Sequence, residues 1–279
     1  MIVNQISTGW EIIYQRAHAM LAAQTAFRLA AHWHVGDRPA RMVETIAAII
    51  HHDDLAKEWE TATLSSAGTP LDFTLSVSNE SSTPDPIPLY ELIEHAQYRG
   101  RWVALLVSMH TCFLNAPKHG QSKALDIFLQ TQVEKQRQWQ RGLGITKQES
   151  DQACAYMQWC DRLSLILTQR QLATRERALE ISRGPDGRRY DIIQRQDGTL
   201  NVSPWPFDVP TFTVNVEASY LRQVTFKSAS DYIDALKQAK VQTLEWEFAQ
   251  TQPIAPTSKQ TVSPRRRHER QAALGERQE

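Results

Sequence analysis

The strongest constraint on the fold is a change of sequence pattern near residue 180. Residues 15–180 consist mostly of stretches rich in Ala and Leu and poor in Gly and Pro, a composition typical of helices. Beyond them, apolar and polar side chains alternate, as at Phe212, Val214 and Val216, which indicates strands. The pattern therefore predicts a mainly α protein, α+β overall, with a small C-terminal antiparallel β region.

Two turn signals predict β-hairpins at widely separated places in the chain. Residues 1–14 contain two β-rich runs around a Ser-Thr-Gly turn. Residues 187–208 contain two more runs around Asp197 and Gly198, a dipeptide typical of tight hairpins. We expect the N-terminal hairpin to flank the helical core, and periodicity leaves open whether it joins the C-terminal strands.

Composition divides the chain into three parts. We expect residues 1–180 to combine the N-terminal hairpin with a helical core, and residues 181–250 to form a smaller β-rich subdomain packed on it. Residues 251–279 are rich in Pro, Ser, Gln and charge, which predicts a disordered tail. A basic run at residues 265–268 offers a contact for RNA or an acidic partner, but the composition favours a solvated tail.

The charge balance and the cysteines argue against several classes of protein. Lys and Arg total 31, as do Asp and Glu, so no overall field attracts nucleic acid or an anionic membrane. No stretch approaches the roughly 18 apolar residues of a membrane span. The three cysteines form no CxxC pair, which fits a reducing compartment. We therefore expect a cytoplasmic protein with no membrane partner, and the charge balance argues against a nucleic-acid partner.

Several ionisable side chains interrupt apolar helix faces. The isoleucine stripe of the second predicted helix continues into His52 and Asp53, and His18, His110 and Asp161 interrupt apolar rows on three other predicted helices. A buried imidazole or carboxylate is costly unless it is paired or binds a metal. Taken singly, each residue has an ordinary interpretation, as a hydrogen-bonded core histidine or an aspartate paired with arginine.

Taken together, the five residues predict a metal site. Three imidazoles and two carboxylates on inward faces suit one or two divalent transition-metal ions, of Mn, Fe, Zn, Co or Ni. The hypothesis requires the proposed ligands to lie within about 8 Å of one another, because metal–ligand bonds are only about 2 Å long.

The order of these residues resembles the metal-binding order of the HD-domain superfamily. Its members have a His on one helix, a His-Asp pair at the end of the next and an Asp on a later long helix. The matching residues here are His18, His52, Asp53 and Asp161. The resemblance implies an HD-domain-like helical bundle in which Asp53 bridges or neighbours the metal. His110 lies where many members have additional histidines, which often support a second metal.

A more extensive resemblance is to the family called domain of unknown function 3891 (DUF3891). It rests on six short matches in one order: GWEIIYQRAHAMLA, HHDDLAKEWE, PLDF, ALLVSMH, WCDRLSL and DGTLNVSPWPFD. These matches run from residue 9 to about residue 208, and we expect the similarity to extend to Phe248. Because the family's name assigns no activity, the resemblance implies a fold and a metal site more firmly than a reaction.

Phosphoester hydrolysis is the reaction that the HD-like ligand order favours. In this hypothesis Asp53 or Asp54 accepts a proton from the attacking water. Three cationic side chains are candidates to meet the substrate's phosphate, namely Lys118, His119 and Arg162, although a solvated loop is the ordinary interpretation of the first two. The sequence thus predicts a metal-dependent phosphohydrolase with a small phosphorylated substrate.

Two other functions stay open. Some proteins of the HD superfamily hold two irons and oxidise their substrates with dioxygen, and His51 or His95 offers a further ligand for such a centre. The third possibility is a non-catalytic protein that binds a metal or a ligand. The DUF3891 pattern has Gly-Trp after the aspartate pair, whereas this chain has Leu55 and Ala56, and the loss of an aromatic side chain there favours this third possibility.

Overall fold

The fold comes from a computed structural model that describes residues 1–30, 33, 39–54, 59, 62–76 and 86–250. The predicted disordered tail, residues 251–279, lies outside the described residues, as do Leu55 and Ala56.

In the part of the chain that the structure describes, seven strands form one curled, mixed sheet with the shape of half a barrel. Along the chain they are β1 (Ile2–Ile6), β2 (Gly9–Ile13), β3 (Leu179–Arg183), β4 (Arg189–Gln194), β5 (Leu200–Ser203), β6 (Thr211–Leu221) and β7 (Lys240–Ala249). Across the sheet their order is β1-β2-β6-β7-β5-β4-β3. Neighbours are antiparallel except β5 and β7, which pair in parallel through Leu200 and Phe248.

The prediction of a mainly α, HD-domain-like helical bundle with a small C-terminal antiparallel β region is wrong. Helices account for 48% of the chain, and the sheet is too large and too continuous for that description, so the protein is α+β. The two predicted hairpins are present, but β2 pairs with β6 through Trp10 and Leu221. The N-terminal hairpin is therefore an integral edge of the sheet that the C-terminal strands form.

The helices lie in the order α1 (Gln15–Ala26), α2 (Pro39–His51), α3 (Phe73–Ser76), α4 (Ile87–Gln97), α5 (Arg101–Asn115), α6 (Lys123–Leu143), α7 (Lys147–Thr168) and α8 (Ala229–Lys237). α7 packs against α1, α2 and α5, while α4 and α6 flank α5. α7 begins at a capping box, in which Thr146 and Glu149 satisfy each other's backbone N–H groups. It ends at Thr168, well before the change of sequence pattern near residue 180, and Arg170 then takes a positive φ of 54°.

Helices and sheet share one apolar core, and β2 is buried on both faces. Ile13 belongs to the large cluster that the helices form with the sheet. Trp10 and Ile12 face a smaller cluster on the opposite side, together with Tyr232 and Leu236 of α8. The hairpin thus lies between the helical layer and α8, which places the start of α1 firmly against the core.

The predicted boundary near residue 180 falls at the start of β3, and the division into three parts stays a prediction. None of the described helices combines the length and the apolar character that crossing a bilayer requires.

Candidate metal centre

The structure brings the five predicted ligands together where α1, α2, α5 and α7 meet. His18 lies on α1, His110 on α5 and Asp161 on α7, whereas His52 and Asp53 lie in the turn directly after α2. The three histidines and Asp161 are buried. The Asp53 side chain is 24% exposed and is the most accessible of the five.

His18 and His52 direct Nε2 at both carboxylates, and His110 directs Nε2 at Asp161. Nε2 of His18 lies 2.8 Å from Oδ2 of Asp53 and 3.7 Å from Oδ1 of Asp161. Nε2 of His52 lies 3.5 Å from Oδ2 of Asp53 and 3.3 Å from Oδ1 of Asp161. Nε2 of His110 lies 3.8 Å from Oδ2 of Asp161.

The end of α2 fixes the orientation of His52. Its Nδ1 lies 2.6 Å from the carbonyl oxygen of Ile49. Because a carbonyl oxygen only accepts, Nδ1 carries the proton and donates. The bond also satisfies one of the carbonyls that the last turn of a helix leaves without a partner. In the neutral imidazole, Nε2 therefore faces the carboxylates as a lone pair.

A serine on α7 fixes His18 in the same way. The Ser164 hydroxyl donates its single hydrogen to the carbonyl oxygen of Asp161 at 2.8 Å. The Ser164 oxygen, 2.8 Å from Nδ1 of His18, must then accept from that nitrogen. Nε2 of His18 is consequently the nitrogen that carries the lone pair of the neutral ring.

These tautomers leave the cluster in need of positive charge. Burial lowers the pKa of His52, but Asp53 and Asp161 outweigh burial and raise it to about 10. Burial raises the pKa values of both carboxyls, yet the histidines beside them hold both below the usual range of aspartate. The carboxylates are thus ionised and stabilise a cation between the rings, either a proton or a metal ion.

His110 is the least satisfied member of the cluster. Burial, opposed by Asp161, lowers the pKa of His110 to about 4, so the ring is neutral near pH 7. Neither of its buried ring nitrogens has a hydrogen-bond partner among the described residues. Leaving a buried polar group unpaired costs about 1–3 kcal/mol. A ligand bound between His110 and Asp161 would remove part of that cost.

The donor set fits one divalent transition-metal ion. Ligand atoms about 2.0–2.2 Å from a common ion lie about 3–4 Å from one another. The imidazole–carboxylate separations given above run from 2.8 to 3.8 Å. Two triads share His52, namely His18, His52 and Asp53, and His52, His110 and Asp161, and within each triad the ligand atoms lie within 4.8 Å of one another. Metal binding by these residues stays a prediction, and the positions of their ligand atoms meet its geometric requirement.

A second group of polar side chains surrounds Asp54, the residue after Asp53. Nη2 of Arg99 donates to Oδ2 of Asp54 at 3.0 Å, and Nδ1 of His51 lies 2.8 Å from the same oxygen. Nη2 of Arg16 donates to the carbonyl oxygen of Asp54 at 3.0 Å. Asp54 is therefore engaged by two guanidinium groups beside the cluster.

The structure places the three basic side chains predicted to meet a phosphate in different surroundings. His119 is exposed, and its Nε2 lies 3.8 Å from Oδ1 of Asp126. Lys118 lies in the 3-10 turn that follows α5. Arg162 donates from Nη1 to Oε1 of Gln171 at 3.0 Å. No described contact joins any of these three cations to the cluster.

Sequence reasoning missed Ser164, Arg16 and Arg99. Ser164 follows Asp161 by three positions and so shares its helix face, a signal that was available. The two arginines have no comparable signal, because their approach to Asp54 depends on how three separate elements meet.

Comparison with known proteins identifies a family. The model of a family described as "Protein of unknown function (DUF3891)" matches residues 1–223. The match includes every residue of the cluster and all strands through β6. No curated protein and no solved structure matches the chain.

Proposed function

We propose that this chain, which belongs to the DUF3891 family, is a metal-dependent phosphohydrolase of small phosphorylated molecules. Family membership assigns no reaction, so the proposal rests on the buried cluster. The ion would be a divalent transition metal, Mn, Fe, Zn, Co or Ni. Its ligands would be His18, His52, Asp53, His110 and Asp161.

One observation carries the proposal: two imidazoles have their Nδ1 protons committed away from the carboxylates they face. Ile49 accepts from His52 and Ser164 accepts from His18. In metal-binding histidines, the N–H of the ring nitrogen that does not bind the metal characteristically donates to a nearby acceptor, which fixes the tautomer and the ring plane. With both Nδ1 protons committed, the nitrogen that faces the ionised aspartates is in each case Nε2, the nitrogen left to ligate a metal ion.

Hydrolysis follows from what such a centre offers a substrate. A bound divalent ion would polarise a phosphoryl oxygen and lower the pKa of a water molecule. We assign acceptance of the water's proton to Asp53, whose Oδ2 faces the imidazoles and whose Oδ1 has no described partner. Asp54 suits this role less well, because Oδ2 already accepts from Arg99.

Few further ligands are available for a di-iron centre. The described ligand atoms form two triads, His18 with His52 and Asp53, and His52 with His110 and Asp161. Of the two further histidines that the sequence offers, His95 is exposed on α4 and His51 contacts Asp54. The di-iron oxygenase therefore ranks below the hydrolase.

Elemental analysis of the purified protein, followed by a phosphatase screen with the metal it contains, tests the proposal. We expect about one ion per chain and metal-dependent release of phosphate from a member of a broad panel of nucleotides and phosphoesters. Asp161→Ala should abolish both the ion and the activity. His119→Ala, which changes an exposed histidine outside the cluster, should keep both.

Other outcomes would point elsewhere. Two tightly held irons with substrate-dependent consumption of dioxygen would replace the hydrolase with an oxygenase. A tightly held ion with no phosphate release across the panel, and loss of folding in Asp161→Ala, would indicate a structural centre, because structural metal binding contributes directly to folding.

A further inference from the structure

An exposed tryptophan lies beside the start of α1, the helix that supplies His18 to the metal centre. Trp59 is 44% exposed. Its indole Nε1 donates to the hydroxyl oxygen of Tyr14, the N-cap residue of α1, at 2.9 Å. The amino group of Lys237, the last residue of α8, lies 5.6 Å from the centroid of the indole ring. Two contacts thus hold this ring in place, although much of it stays in contact with solvent.

Tyr14 places the tryptophan close to a proposed metal ligand. The backbone N–H of His18 donates to the carbonyl oxygen of Tyr14 at 3.0 Å, so the two residues lie one helical turn apart. One turn advances about 5.4 Å along the helix axis. The start of α1 therefore carries the contact to Trp59 and, one turn later, the contact of His18 with Asp53.

The accessible edge of the metal centre lies at the same end of α1. Among the five proposed ligands, the Asp53 side chain is the most exposed. The next residue, Asp54, accepts from Nη2 of Arg16 in the first turn of α1 through its carbonyl oxygen. Trp59 follows Asp54 by five positions, a length of chain that spans at most about 18 Å. Solvent therefore reaches the centre at the edge where the start of α1 and Trp59 lie.

We propose that Trp59 binds the organic part of the substrate by stacking on a planar aromatic ring, so that the preferred substrates are phosphate esters of ring-bearing molecules. This inference rests on the proposed function and adds a substrate class to it. Tyr14 is a positioning residue, because it accepts from the indole N–H and so fixes the plane of the ring.

The geometry of an indole explains the preference for an aromatic partner. Two flat rings in an offset stack bring their faces into contact and match their quadrupoles. A puckered aliphatic ring of similar size touches an indole face at fewer atoms and has no such quadrupole. With Lys237 over one face of Trp59, the substrate ring stacks on the opposite face.

Calorimetric titration of the metal-loaded protein with three phosphonates tests the proposal. Phenylphosphonate, cyclohexylphosphonate and methylphosphonate share the anionic group and have a carbon–phosphorus bond in place of the ester bond that a phosphatase cleaves. They differ in whether an aromatic ring, an aliphatic ring or no ring is attached. We expect phenylphosphonate to bind about fivefold or more tighter than cyclohexylphosphonate, as stacking on an aromatic side chain provides.

Two substitutions of the tryptophan separate the ring from its bulk. Trp59→Leu keeps an apolar side chain without a ring and should remove the preference for phenylphosphonate. Trp59→Phe keeps a ring and should retain most of the preference. Tyr14→Phe removes the acceptor for the indole N–H and should reduce the preference. Methylphosphonate affinity and metal content should stay unchanged in all three variants.

The matched control is Phe27→Leu, which changes another exposed aromatic residue that has a cation over its ring. Phe27 is 69% exposed, and the guanidinium carbon of Arg28 lies 5.7 Å from its ring centroid. Phe27 is the C-cap residue of α1, so it lies about 20 Å along the helix from Tyr14. This variant should bind all three phosphonates as the wild type does.

The outcomes for Trp59 and for the metal centre are distinct. A preference for phenylphosphonate that persists in Trp59→Leu, or equal binding of both ring phosphonates by the wild type, would overturn the role of Trp59 and leave the hydrolase standing. Equal weakening of all three phosphonates in Trp59→Leu, with a lower unfolding temperature, would also overturn it, because Trp59 would then only join α8 to the start of α1.

If Trp59→Leu does not fold, Tyr14→Phe decides by the same comparison, and an unchanged preference in that variant overturns the proposal. A preference that depends on the Trp59 ring, in a protein that releases phosphate from no ester, would support the ring-binding role and remove the hydrolase.

Discussion

Nε2 of His18 lies 2.8 Å from Oδ2 of Asp53, yet in the neutral ring the proton is on Nδ1, which donates it to Oγ of Ser164. Two lone pairs at that distance repel unless a cation lies with them. The two residues come from different elements, α1 and the turn after α2, so the packing of those elements imposes the contact. The demand for a cation is thus part of the folded structure and gives several experiments a clear direction.

His110 should respond to substitution in opposite directions with and without metal. His110→Leu removes a buried imidazole that has no described hydrogen-bond partner. In chelator, we expect the free energy of unfolding to rise by about 1–3 kcal/mol, because an unpaired polar group is replaced by an apolar one. With metal present, that gain should be offset by weaker ion binding. Thermal unfolding in chelator and in excess metal measures both effects.

The matched variant for that experiment is His52→Leu. It removes a ring that faces Asp53 and Asp161, so it should destabilise the chelated protein, by about 3–5 kcal/mol as for other buried charges that lose a partner. If both leucine variants destabilise the chelated protein equally, the His110 ring has a hydrogen-bond partner in the folded protein, and its nitrogens are not unpaired.

Ser164 should affect metal affinity although it is not a proposed ligand. Ser164→Ala removes the acceptor for Nδ1 of His18, which frees the ring to rotate and to change tautomer. We expect metal affinity to fall about 10- to 100-fold, the usual effect of losing such a supporting group. Competition with a chromogenic chelator measures this affinity.

Ser150→Ala is the control for Ser164→Ala. Ser150 is also a buried serine on α7, but its hydroxyl donates to the carbonyl oxygen of Lys147, near the start of the helix. This variant should bind metal as the wild type does. Equal metal affinity in the two variants would show that Ser164 does not set the orientation of His18.

The sequence predicts more of the candidate site than of the fold. His18, His110 and Asp161 stand out because each interrupts an apolar helix face, a pattern confined to a few neighbouring residues. The pairing of β2 with β6 has no such local signature, since it depends on hydrogen bonds between strands at distant positions in the chain. Periodicity alone therefore leaves open whether the hairpin joins the C-terminal strands, and the predicted β region is smaller than the observed sheet.

For the same reason, local sequence patterns do not predict the contacts around the site. Arg16 and Arg99 meet Asp54 only because the start of α1 and the ends of α2 and α4 converge. Lys118 and His119 are candidates on sequence because they follow His110 closely in the chain. The chain after α5 instead carries them into an exposed turn, where their described contacts lie apart from the cluster.

Glu11 should make stability depend on pH. It is fully buried, and although burial raises the pKa of its carboxyl, hydrogen bonds from Arg170, Tyr220 and Asn4 lower it below the usual value. Because the pKa of Glu11 is lower in the folded protein than in the unfolded chain, its ionised carboxylate stabilises the fold fully above the pKa of the unfolded chain, near 4.3. That stabilisation is lost as the pH falls through the pKa of the folded protein. Glu11→Gln should therefore lower the free energy of unfolding at pH 7 by about 2 kcal/mol.

That difference between wild type and Glu11→Gln should shrink as the pH falls below about 4, and urea unfolding from pH 7 to pH 2 measures it. Glu217→Gln, which changes an exposed carboxylate on β6, should leave the pH profile unaltered. A difference that is constant across the whole pH range would mean that the effect of Glu11→Gln comes from packing and not from charge.

Gly9 tests whether the N-terminal hairpin is an integral part of the sheet. Its φ is +132°, and an added Cβ would lie 2.0 Å from the carbonyl oxygen of Leu221 on β6. Gly9→Ala must therefore separate β2 from β6, and we expect the free energy of unfolding to fall by more than about 4 kcal/mol, or the protein to fail to fold.

The control is Gly198, at the turn between β4 and β5. It also has a positive φ, +88°, but a Cβ there meets nothing within 4 Å. Gly198→Ala should cost only the backbone strain, about 1–2 kcal/mol. Thermal unfolding of both variants gives the comparison, and equal losses would mean that the contact between the hairpin and β6 contributes little to the fold.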